Sequence, residues 1–121
     1  MSVYALRGAT TVEENDREAI LEATREMLGE LLERNSLSAD DLVSAIFTVT
    51  DDLNAEFPAL AAREIGLSAV PLLCAREIPV PGSMPGVIRV LVHYRAGDGA
   101  EAQHVYLRRA SELRSDLGSA Q

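Results

Sequence analysis

The sequence has no lysine, a single cysteine and two histidines among its 121 residues. One cysteine, Cys74, cannot form an internal disulfide bond. No apolar run approaches the roughly 18 residues that a membrane-spanning helix needs. The first residues also lack the basic start and the apolar stretch of a secretory signal peptide. We therefore expect a cytoplasmic protein with no membrane partner.

Sequence signatures of phosphate and metal sites are absent as well. Residues 82–86 have neither the spacing of a phosphate-binding loop nor a helix after them. His93 and His104 do not stand at a metal-ligand spacing from Cys74. We therefore predict no cofactor and no metal. A nucleophilic Cys74 with a histidine beside it stays open as a minor alternative.

The chain is acidic, with a formal net charge of −8. Negative charge repels nucleic acid, so no nucleic-acid partner is expected. All eleven basic residues are arginine, the side chain whose guanidinium group binds a carboxylate through two parallel hydrogen bonds. Genome composition explains this bias at least as readily, so the bias alone assigns no function.

Hydrophobic periodicity predicts one long helix and a set of strands. A stripe of apolar residues at helical spacing indicates the helix over about 16–35, and a capping pattern at 38–41 indicates a short helical turn after it. Residues 104–108 fit either a fifth short strand or the start of a helix. The remaining predicted elements are a short helix at 59–65, ended by Gly66, and strands at 3–10 (ending near Gly8), 45–50, 70–75 and 87–94.

This order of elements predicts a single domain over residues 1–121, of the α/β (α+β) class, with a mixed five-stranded sheet and one long helix packed on it. The strand at 87–92 is apolar on both sides apart from Arg89. Because one helix covers one face, the other face needs a cover, and the simplest cover is another copy of the chain. After about residue 115 the chain is small and polar, and we expect a mobile tail.

Arg89 interrupts this apolar strand, and a guanidinium group is almost never buried without a partner. The strand alone favours a structural arginine, which either faces solvent at a sheet edge or pairs with a carboxylate such as Glu77. The alternative is a cation held in a pocket for an anionic ligand. Arg7 poses the same choice in the first strand, where alternation puts it on one face with Val3 and Ala5.

Short segments along the chain form a pattern that is weak piece by piece and specific in its order and spacing. They are RGATTV at 7–12, FTVTDDL at 47–53, FPA at 57–59 with Arg63, VP at 70–71 leading to CARE at 74–77, IRV at 88–90, HVYL at 104–107 and LRSDL at 113–117. In this order the chain resembles the AroH class of monofunctional chorismate mutases, from about residue 3 to residue 117.

The resemblance implies a homotrimer with a pseudo-α/β-barrel core, no cofactor, and the rearrangement of chorismate to prephenate in aromatic amino-acid biosynthesis. It implies active sites between neighbouring subunits, in which Arg89, Arg7 and Glu77 are catalytic. One subunit would supply Phe57, Ala59 and Arg63 to bind the substrate. The next subunit would supply Arg7, Leu72, Leu73, Cys74, Glu77, Arg89 and Tyr106. Arg114 would lie at the periphery.

Two positions depart from the family pattern, and two other functions stay open. Leu60 stands where some relatives have a polar or charged residue, which removes electrostatic help at the cleft mouth. Ser115 stands where proline is common, which loosens the tail and puts the position of Arg114 in doubt. The alternatives are a non-catalytic trimeric sensor of an anionic metabolite and an imine deaminase of similar fold, which also uses an arginine for a carboxylate.

Overall fold

The computed structural model describes the backbone of residues 1–116 and the side chains of residues 1–113. Five strands in this range form one mixed sheet. Their order across the sheet is β3-β2-β4-β1-β5. β4 runs antiparallel to β1 and β2, whereas the edge strands β3 and β5 run parallel to β2 and β1. The strands are β1 (Ser2–Thr11), β2 (Leu42–Val49), β3 (Leu72–Arg76), β4 (Val87–Ala96) and β5 (Val105–Tyr106). The predicted five-stranded mixed sheet is confirmed.

The long helix α1 (Arg17–Arg34) covers one face of this sheet. Its N-cap is Asp16, whose carboxylate accepts a hydrogen bond from the Ala19 N–H at 3.0 Å, a preferred arrangement at a helix start. A Cβ atom on Gly8 of β1 would stand 3.1 Å from the side chains of Leu31 and Val90. Glycine at this position therefore lets α1 approach the sheet closely, right beside Arg7.

Three shorter helical segments complete the described part of the chain. A 3₁₀ turn (Ala39–Asp41) precedes β2, and α2 (Pro58–Ala62) continues into a wider turn (Arg63–Leu67) in which Gly66 has φ +102°. Gly66 takes the positive φ that glycine adopts without steric cost, which fits its predicted role as a stop. A 3₁₀ helix (Arg108–Asp116) follows β5, so residues 104–108 contain both a short strand and the start of a helix.

Several strand boundaries differ from the prediction. β1 does not end near Gly8 but runs to Thr11, because it pairs with β4 along its whole length. β2 begins at Leu42 instead of residue 45, and β3 begins at Leu72 instead of residue 70. Pro71 has no N–H to donate; its carbonyl accepts from the Ala45 N–H at 3.0 Å just before β3 begins.

The second face of the sheet, called here the open face, is only partly covered by the described residues. On β4 the residues Arg89, Leu91 and His93 point to it, half-buried, while the alternate residues of the strand are buried against α1. Val3 and Leu73 on the same face are 59% and 61% exposed. Val3, Ala5 and Arg7 do share one face, as predicted, and that face points away from α1.

The predicted mobile tail from about residue 115 lies mostly outside the described residues, as does the side chain of Arg114. Within residues 1–116, the structure has no helix that is both long enough and apolar enough to cross a membrane.

Candidate active site

Arg89 and Glu77 form a bidentate ion pair at the edge of the open face. Nε of Arg89 donates to Oε2 of Glu77 at 2.7 Å, and Nη2 donates to Oε1 at 2.5 Å. The two side chains are 33% and 16% exposed. The pairing that the sequence suggested as the structural role of Arg89 is therefore present. The same guanidinium group also lines a cleft, so its ion pair does not exclude a role in binding an anionic ligand.

Three neighbouring strands bring the groups of this pair together. The antiparallel register places Arg89 of β4 between Ala9 of β1 and Thr48 of β2. Glu77 follows β3 directly, and its N–H donates to the Val49 carbonyl at 2.9 Å. The Thr48 hydroxyl donates to Oε2 of Glu77. Sheet register therefore fixes the carboxylate beside the arginine.

The pKa values of both partners shift in the direction that keeps them charged. Burial acts to raise the pKa of Glu77, but the hydrogen bonds from Arg89 and Thr48 and the charge of Arg89 together lower it. Hydrogen bonding to Glu77 raises the pKa of Arg89, although burial acts to lower it. The charge of Glu77 and the interaction with Tyr106 also raise the pKa. The pair therefore stays ionised at neutral pH.

A cleft of about 260 Å³ on the open face, called here the cation cleft, is lined by both predicted cations. Arg7 and Arg89 line it with Tyr106, which the parallel pairing of β5 with β1 places beside Ala9. The other lining residues are Gly8, Ala9, Ile46, Thr48, Val90 and Leu91. A cleft of this size with two guanidinium groups, a phenol and an apolar floor suits a small anionic metabolite.

Phe57 lies in a different place, beside a second cavity of about 320 Å³. Phe57 is 67% exposed, and Cys74 and Ala75 of β3 line the cavity with it. In one chain the predicted site residues therefore form two separate groups. Within one chain Cys74 lies in the group of Phe57; that it accompanies Arg7 and Arg89 in a site between two subunits stays a prediction.

Four further predicted residues lie outside the cation cleft. Ala59 is 3% exposed in the core, so its methyl group offers almost no surface to a ligand. Leu72 packs against the same core, because it pairs with buried Ala45. Leu73 points to the open face, and Arg63 is exposed where α2 passes into the wider turn.

Sequence analysis missed two residues that contact or flank the ion pair. Thr48 binds Glu77, but a threonine inside a strand is too ordinary to attract notice. Leu113 lines a cavity of about 450 Å³ together with Glu77 and Arg89. Its signal was its place in the LRSDL segment. Among the described residues, no group of three His, Cys, Asp or Glu side chains could hold a metal ion.

The fold is that of a small α+β protein, and two arginines line a cleft on one face of its sheet. The family model described as chorismate mutase type I matches residues 3–117. The chain therefore belongs to the type I chorismate mutases, a family of isomerases in aromatic amino-acid biosynthesis. This confirms the resemblance inferred from the ordered segments.

Individual relatives agree with the family match. The Thermus thermophilus protein named chorismate mutase AroH is 55% identical over 121 residues, which cover 98% of this chain and 99% of the relative. The Bacillus subtilis protein of the same name is 38% identical over 119 residues, covering 97% and 94%. The solved structure of a chorismate mutase from Clostridium thermocellum has a TM-score of 0.88 and 47% identity, covering 91% of this chain and 99% of that chain.

Proposed function

We propose that the cation cleft binds chorismate and converts it to prephenate, with Arg89, Arg7 and Glu77 as the catalytic residues. The observation that carries this proposal is the Arg89 guanidinium group, which Glu77 holds by two hydrogen bonds in a cleft shared with Arg7. Family membership argues against an imine deaminase of similar fold.

The rearrangement breaks one C–O bond while one C–C bond forms, and it needs no proton transfer, nucleophile or redox step. The protein must first hold the enolpyruvyl side chain over the ring, which removes part of the entropic barrier. Arg7 and Tyr106 are suited to binding the two carboxylates, since both line the cleft. Ile46 and Leu91 give it an apolar floor.

The second task is electrostatic. The ether oxygen of the breaking bond gains negative charge in the transition state, so a cation beside it stabilises the transition state more than the substrate. Arg89 performs this task without reorganising, because Glu77 already orients it. An ionised carboxylate has about four acceptor positions. Arg89 and Thr48 occupy three at Glu77, which leaves one for the ring hydroxyl of chorismate.

We also propose that the protein is a homotrimer whose neighbouring subunits complete each site. Two features support this. The open face carries exposed Val3 and Leu73, which a second copy would bury. Phe57 and Cys74 flank a separate cavity of the same chain, so a neighbour must supply that group if it is to reach the cation cleft. A cytoplasmic location stays a prediction from the sequence.

The experiment is to add purified protein to chorismate and to follow both the loss of its absorbance and the formation of prephenate, against a protein-free control. We expect turnover of chorismate well above that control. Binding without turnover would instead support the sensor, and turnover of an imine alone would support the deaminase. Sedimentation of the same sample should give the mass of a trimer.

A further inference from the structure

We propose that Thr48 is a positioning residue: its hydroxyl group orients the Glu77 carboxylate, which in turn orients the Arg89 guanidinium group. This proposal rests on the proposed function for its effect on catalysis. Its geometric part, the control of Glu77 by Thr48, is independent of any substrate.

The three side chains come from consecutive positions across the sheet. Thr48 of β2 lies directly opposite Arg89 of β4, and such cross-strand partners have Cβ atoms about 5 Å apart. Glu77 leaves the end of β3, on the other side of β2. The Thr48 hydroxyl donates to Oε2, the same oxygen that accepts Nε of Arg89. The carboxylate is therefore held from both strands.

A second fixed donor is needed because the terminal torsion of a glutamate is soft. Arg89 has a long side chain with several rotatable bonds, so it alone does not hold the carboxylate in one orientation. Threonine is β-branched and has few χ1 rotamers in a strand, which makes its hydroxyl the stiffest of the three groups. Removing that hydroxyl would let the ion pair pivot away from the position that the transition state requires.

The position of Thr48 also separates this role from simple packing. Thr48 is half-buried on the open face, outside the core that α1 covers. Valine has nearly the same shape and also favours strands, so Thr48→Val keeps the volume of the side chain and puts a methyl group in place of the hydroxyl donor. Thr48→Ser keeps the hydroxyl and removes a methyl group. Ser44→Ala is the matched control, because Ser44 lies on the same strand and face but contacts His93 at 3.3 Å.

The test measures kcat and KM for chorismate against pH in the wild type and these three variants. We expect Thr48→Val to lower kcat about tenfold with KM within about threefold, since Arg89 acts in the transition state. The acid limb of the pH profile of kcat should move to higher pH in Thr48→Val, because Glu77 loses a donor that favours its ionised form. Thr48→Ser should recover most of kcat, and Ser44→Ala should match the wild type.

A wild-type kcat and acid limb in Thr48→Val would overturn the proposal, and so would a Thr48→Ser variant as impaired as Thr48→Val. NMR titration of the Glu77 carboxyl carbon, which needs no turnover, distinguishes this failure from failure of the proposed function. The pKa of Glu77 should be higher in Thr48→Val than in the wild type. An unchanged pKa there overturns the proposal even if chorismate is the substrate. Should Thr48→Val not fold, Thr48→Ala takes its place in both measurements.

Discussion

The backbone N–H of Arg7 donates a hydrogen bond to Nδ1 of His104, with 3.0 Å between the two nitrogens. His104 directly precedes β5, the short strand that places Tyr106 beside Ala9 of β1. This hydrogen bond therefore links Arg7 of the cation cleft to β5, the strand that carries Tyr106. Because the accepting nitrogen must be unprotonated, the contact requires a neutral imidazole.

The first prediction concerns stability against pH. Burial and the nearby Arg7 charge lower the pKa of His104. The folded chain therefore binds this proton less readily than the unfolded chain, in which the pKa of histidine is about 6.5. The stability from neutral His104 is complete above that pH and is lost as pH falls through the folded-state pKa. In urea denaturation between about pH 7 and pH 5, His104→Asn should lose less stability than the wild type.

His93→Asn is the control for this measurement, because it removes the other histidine of the chain and leaves the Arg7 contact intact. The part of the stability loss on acidification that comes from His104 should be as large in His93→Asn as in the wild type. Equal pH slopes in the wild type and His104→Asn would contradict the prediction.

Local chemistry explains why some elements were predictable. The stripe of apolar residues and the Asp16 cap lie within a few turns of each other in sequence, so α1 was predicted over 16–35 and spans Arg17–Arg34. Strand ends were less predictable, because pairing partners distant in sequence set them. β1 continues to Thr11 only because β4 offers partners that far.

The site also has some features that local sequence predicts and others that depend on residues distant in sequence. Arg89 was conspicuous because a charge in an apolar strand is rare, and its pairing with Glu77 was among the predicted outcomes. The neighbours of Cys74 were not predictable, since they depend on how β3 and the segment before α2 meet in space. Within one chain the structure puts Cys74 beside Phe57, and the grouping across two subunits that the resemblance implied stays a prediction.

A second prediction tests whether two subunits share each site. Arg89→Ala and Phe57→Ala are both expected to lose most of their activity. If each site takes Arg89 from one chain and Phe57 from its neighbour, random mixed trimers should regain about a quarter of the wild-type sites. The two variants are unfolded together, refolded and assayed with chorismate, beside each variant refolded alone. Activity no higher than the average of the separate variants would contradict a shared site.

A third prediction concerns Cys74, which is a free and half-buried cysteine. The proposed reaction uses no thiolate, so Cys74→Ser should keep kcat/KM within about threefold of the wild type. Chorismate turnover measured on both proteins checks this. A loss beyond about a hundredfold would indicate a nucleophilic role for the thiol, since removing a nucleophile costs at least that much. Labelling with a bulky thiol reagent is a weaker test, because bulk beside Phe57 can block the cavity.

The most direct measurement is kcat/KM for chorismate in Arg89→Ala and Arg89→Lys, with folding checked by thermal denaturation. Arg89→Ala should lose about a hundredfold or more, equivalent to roughly 3 kcal/mol of transition-state stabilisation. Arg89→Lys should recover only part of this loss, because one ammonium group cannot donate to Glu77 in the geometry of the guanidinium fork. A folded Arg89→Ala variant that converts chorismate at nearly the wild-type rate would contradict the account.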